Sequence, residues 1–96
     1  MVKHKLKLAL CQGRHRFPVC LDGAVFSEAV DPLDTEELEE RAMFVLQDCS
    51  ALDLYVTGLS VALVAVLNAA KKLGIPVVLW HFNRDNGKYY PQRVED

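Results

Sequence analysis

No apolar run in this sequence is long enough to cross a bilayer. The most apolar stretch, Leu59 to Leu67, is about half of the roughly twenty residues required, and Asn68, Lys71 and Lys72 follow it closely. That stretch belongs in a protein core or at a subunit interface, and no membrane partner is expected. Cysteine is scarce as well. Cys11, Cys20 and Cys49 occur without a CxxC spacing, so no zinc site is expected, and the odd count without a signal-like N-terminus points to reduced thiols in the cytoplasm. Positive charge is not in excess either. Eleven Lys and Arg residues stand against 13 Asp and Glu, a net charge of -2, which excludes a globally basic binder of long nucleic acid. There is no Walker or GxGxxG fingerprint, no paired-carboxylate spacing, no metal-ligand cluster and no nucleophile elbow, so no cofactor or metal is expected.

What is present describes a folded domain. Of 96 residues, 51% are hydrophobic and 25% charged, enough apolar content to offset the entropy of ordering. The length supports one core, hence a single domain over 1–96. Charge is segregated along the chain. Lys3, His4, Lys5, Lys7, Arg14, His15 and Arg16 crowd the first sixteen residues, while Asp31, Asp34, Glu36, Glu37, Glu39 and Glu40 form an acidic block. A local cationic pocket on an acidic body is compatible with this pattern.

Lys3 to Leu10 alternates basic and apolar residues with period two, which predicts a strand. Phe17 to Leu21 and Ala24 to Val30 flank Asp22-Gly23, a dipeptide suited to a two-residue turn, so a β-hairpin is expected at about 17–30. Asp34 with Glu37 predicts the start of a helix running to about Gln47. Leu52 to Val56 reads as a strand, Thr57-Gly58-Leu59-Ser60 as a tight link, Val61 to Leu73 as a helix with Gly74 as its C-cap, and Ile75 to Phe82 as a second strand. Such an order forms a right-handed βαβ unit over 52–83 with parallel strands. Asn86-Gly87 predicts a second hairpin at 76–94, with Pro91 confining its last strand to an edge. The expected fold is α/β: a small Rossmann-like three-layer domain with a mainly parallel central sheet and two main helices. The second helix is apolar almost all round, and a chain this short has little else to cover it. A homodimer or higher homo-oligomer with residues 59–73 at the interface is therefore expected.

In open parallel sheets, ligands bind beyond the carboxyl ends of the strands. If the first strand runs parallel to the βαβ pair, three loops converge there: Gln12, Gly13, Arg14 and His15; Thr57, Gly58, Leu59 and Ser60; and His81, Asn83 and Arg84. Gly58 allows close backbone approach, Thr57 and Ser60 carry hydroxyls at a helix start, and Arg14 and Arg84 offer forked donors to phosphate oxygens. His15, His81 and Ser60 are the candidates for proton transfer or charge stabilisation in catalysis. Each has a plainer reading: Thr57 to Ser60 as a helix cap, His81 as a hydrogen-bonded structural residue beside Trp80, Tyr89 and Tyr90 as edge packing.

Leu54-Tyr55-Val56-Thr57-Gly58-Leu59-Ser60, the apolar helix and Val77-Val78-Leu79-Trp80-His81-Phe82 together resemble the nucleotide-sensing half of CRISPR-associated Rossmann-fold (CARF) domains and of small ring-nuclease-like proteins. The resemblance covers about a third of the chain. It implies a Thr/Ser-Gly turn holding a cyclic oligonucleotide at a dimer axis, through Thr57, Gly58 and Ser60. Three functions follow: a binder of a nucleotide or cyclic oligonucleotide signal in antiviral defence or its suppression, a metal-independent ring-nuclease-type phosphodiesterase, and a non-catalytic homo-oligomeric adaptor.

Overall fold

The computed structural model describes residues 3–11, 21–26, 33–56 and 60–94. Five strands, β1 (His4–Cys11), β2 (Gly23–Phe26), β3 (Cys49–Tyr55), β4 (Val77–Asn83) and β5 (Lys88–Val94), form one sheet in the order β2-β1-β3-β4-β5. The first four strands are parallel to their neighbours and β5 is antiparallel to β4. The period-two pattern of β1 divides as its residue types require: Leu6, Leu8 and Leu10 join the hydrophobic core, whereas Lys5 and Lys7 are exposed. From β3 and β4 the core takes Leu52, Leu54, Val77 and Leu79.

Helix α1 (Thr35–Leu46) starts where the acidic block predicts, because Asp34 Oδ1 accepts the Glu37 N–H at 3.1 Å and Glu36 and Glu37 sit at the positive end of the dipole. Leu38, Ala42 and Leu46 form its buried stripe. Helix α2 (Ser60–Leu73) stops at Gly74, whose φ of 70° suits glycine. The Gly74 N–H reaches the Lys71 carbonyl and the Ile75 N–H the Ala70 carbonyl, at 3.2 and 2.9 Å. This paired capping satisfies two carbonyls that the helix leaves open.

Two expectations are corrected. Asp22-Gly23 does not turn the chain back as a hairpin: the Asp22 N–H donates to the Lys7 carbonyl at 2.8 Å, its Oδ2 accepts the Lys7 N–H at 2.9 Å, and the strand that follows runs parallel to β1. The carboxylate that suits a local turn is used instead on a strand fifteen residues away. The rest of the expected hairpin, 17–20 and 27–30, lies outside the described residues. The three-layer expectation also changes, since among the described residues there are two layers. The crossovers β2-α1-β3 and β3-α2-β4 advance in the same direction across the sheet, so a common right hand places both helices on one face. There α1 and α2 pack side by side, with Lys72 Nζ 2.6 Å from Glu39 Oε1. By lying along α2, α1 takes the flank for which a second copy of the chain is expected. What remains exposed on α2 is Ser60, Val64, Asn68, Lys71 and Lys72.

The other hairpin forms as expected over 77–94, closed by Arg84–Gly87 with Gly87 at φ 68°. The Trp80 carbonyl accepts from Val56 N–H, so at the Trp80–Pro91 pair the backbone groups of Pro91 face outward. Proline there removes a donor from the free edge of the sheet and leaves the ladder to β4 intact. Among the described residues no helix is long and apolar enough to cross a membrane.

Candidate functional site

Parallel pairing brings the carboxyl ends of three strands to one edge. Ala9 lies opposite Tyr55, and Tyr55 opposite Trp80, so β1, β3 and β4 end side by side at Cys11, Tyr55 and Asn83. Helix α2 begins at Ser60 just after β3. Its first turn contains no acidic residue and its last turn holds Lys71 and Lys72, so no carboxylate of that turn offsets the positive pole at the amino end. Of the eleven candidate residues, Gln12, Gly13, Arg14, His15, Thr57, Gly58 and Leu59 lie outside the described residues. Ser60, His81, Asn83 and Arg84 are described.

These four differ in availability. Ser60 is exposed at the helix start and Arg84 is exposed in the β4-β5 turn. His81 has a structural partner: its Nε2 donates to Gln92 Oε1 at 2.8 Å and its ring lies 5.3 Å from that of Tyr90, both on β5. Asn83 is engaged too. Its Oδ1 accepts the Asp85 N–H at 2.9 Å and its carbonyl the Gly87 N–H at 2.8 Å, which closes the hairpin turn. The groove between the helices beside Ser60 is lined by Thr35, Glu36, Glu39, Val61 and Val64. Its two carboxylates disfavour an anion there.

Sequence reasoning does not single out the face of the sheet turned away from the helices. Asp53 is only 8% exposed, and its carboxylate is 3.8 Å from Lys5 Nζ. Tyr55 stacks on Trp80 at 5.8 Å and meets Tyr89 edge-on at 5.1 Å, while Phe82 lies 5.4 Å from Tyr89. Burial pushes the Tyr55 phenol above its ordinary pKa and the Asp53 charge adds to this; burial and then Tyr55 do the same for Tyr89. Both phenols remain neutral donors at pH 7. The signal for this cluster is the alternation Asp53-Leu54-Tyr55 and Leu79-Trp80-His81-Phe82, in which every second residue leaves the aliphatic core.

Cys49 is a free thiol. Burial raises the pKa of Cys49, whose Sγ donates to the Ala51 carbonyl at 3.0 Å, so this thiol is an inert core residue at neutral pH. Among the described residues no group of three or more His, Cys, Asp or Glu side chains gathers as metal ligands would. No protein-family model, curated protein or solved structure matches this chain.

Proposed function

We propose that this protein binds a phosphate-containing small ligand, a nucleotide or a cyclic oligonucleotide signal, in the cytoplasm, as a sensor or sponge in antiviral defence or its suppression. The observation that carries this reading is the alignment of β1, β3 and β4, whose carboxyl ends meet at one edge beside the amino end of α2. Unpaired N–H groups at a helix start and the dipole behind them favour phosphate. Arg84 at the same edge supplies a forked donor, and Arg14, Thr57 and Gly58 complete the proposed site.

Thermal-shift measurement against mono-, di- and cyclic oligonucleotides tests this. A ligand bound only by the folded state raises stability by RT ln(1 + [L]/Kd). The Arg84→Ala variant should keep its unfolding temperature without ligand and lose most of the ligand-dependent rise. If no phosphate-bearing compound shifts the transition, the reading fails. Product analysis of any ligand found separates binding from ring-nuclease-type hydrolysis. Self-association is part of the same proposal with a smaller footprint on α2, centred on Val64, which is 55% exposed. A monomeric mass in dilute solution would remove it and with it the adaptor reading.

A further inference from the structure

The sheet face turned away from the helices carries a combination that the small-ligand reading does not use. Lys5 reaches Asp53 there, Lys7 lies two residues further along β1, and Arg93 lies on β5 opposite Val78, the neighbour of Asp53. All three cations are exposed, and they outnumber the two carboxylates beside them, Asp53 and the Asp22 that accepts the Lys7 N–H, in a chain whose net charge is -2. Four residues from Arg93 along β5, about 13 Å at strand spacing, is Tyr89, packed against Phe82, which is 51% exposed.

We propose that this face binds a short single-stranded nucleic acid, with Lys5, Lys7 and Arg93 on its phosphates and Phe82 and Tyr89 stacking its bases. Positive side chains that hold a backbone and aromatic rings that accept any base are the two parts such recognition requires, and here they lie at the two ends of one face. Charge complementarity favours this occupant over an apolar protein segment, which would have to desolvate three cations. It also reconciles the acidic composition with nucleic-acid binding, because Lys5, Lys7 and Arg93 share one face and a strand of a few nucleotides need not meet the acidic helix α1. The residues are none of those in the strand-end site, so this interaction stands or falls separately.

The experiment is titration of the whole chain with a short oligouridylate, read by the fluorescence of Trp80, the one tryptophan, which stacks on Tyr55 beside Tyr89. Quenching is expected, with log K falling against log salt at a slope of about -2 for three phosphate contacts to a single strand. Phe82→Ala should weaken binding about tenfold with that slope unchanged. Lys7→Glu and Arg93→Glu should weaken it and flatten the slope, whereas Lys71→Glu, the same charge change on the helix layer, should do neither. Absence of binding overturns the proposal. So does binding that inorganic polyphosphate matches and that Phe82→Ala leaves unchanged, since the surface would then attract any polyanion and read no base.

Discussion

The two faces of β3 differ in kind. Leu52 and Leu54, at 1% and 0% exposure, point into an aliphatic core shared with β1, β4 and both helices. Their neighbours Asp53 and Tyr55 are also buried, at 8% and 5%, but their partners are Lys5, Trp80 and Tyr89. The helix-side face is held by shape and area, where every methylene counts, whereas the other face holds polar groups and rings whose positions depend on geometry and charge. A single strand thus builds a stabilising surface and a chemically versatile one from alternate residues.

Truncation on the two faces should separate them most widely. Leu54→Ala leaves a cavity among residues that cannot collapse onto it and should cost about 3 kcal/mol in denaturant unfolding. Tyr55→Phe keeps the stacked ring and loses only a hydroxyl, and should cost about 1 kcal/mol. Equal losses would mean that the second face is also held by packing alone. An effect as small as that of Tyr55→Phe belongs to the helix layer: Asp34→Ala removes the cap on Glu37 N–H and should cost about 1 kcal/mol. Native Trp80 emission should be unchanged, because the cap lies on the layer that Trp80 does not face.

Alkaline pH divides the faces by titration. Cys49 belongs to the helix-side core, and Tyr55 and Tyr89 to the other face; burial raises all three above ordinary values of 9.0 and 10.0. In the unfolded chain these groups ionise at those ordinary values, whereas the folded chain keeps the protons longer. Stability is therefore level below about pH 8 and falls as pH rises through the ordinary values toward the raised ones. Unfolding curves of Cys49→Ala should lose the part of the decline that begins near 9.0, and those of Tyr55→Phe a part that begins near 10.0. A decline identical in both variants and the parent would show that neither group carries it.

Much of this layout is legible in the residues. The βαβ unit, the Asp34 cap, the Gly74 stop and the 77–94 hairpin all rest on signals confined to a few neighbouring positions, and each forms where expected. What neighbouring residues leave open or misdirect is non-local. Asp22-Gly23 has the chemistry of a turn, and only the presence of Lys7 fifteen residues upstream turns it into a strand entry. The apolar girth of α2 fits a second subunit or a neighbouring helix equally well, and the topology that seats α1 beside it is a property of the whole sheet. The shared edge of the strand ends is legible because strand direction fixes it. The engagement of His81 and Asn83 is less so: their contacts to Gln92 and Asp85 depend on hairpin register.

The smallest effect is expected from the ion pair of the second face. Lys5 Nζ is 3.8 Å from Asp53, with its side chain 64% exposed and that of Asp53 only 11%. Water screens the ammonium and holding the long side chain in place costs rotamer entropy, so Lys5→Ala should lower stability by less than about 0.5 kcal/mol. Asp53 keeps whatever solvation it has in either case. Denaturant midpoints measured at low and high salt check this: the difference between variant and parent should shrink as salt rises. A loss several times larger and insensitive to salt would mean that Lys5 is needed to keep the Asp53 charge inside the sheet. In that case its availability to a phosphate would be compromised, and Lys7 and Arg93 alone would have to hold the strand.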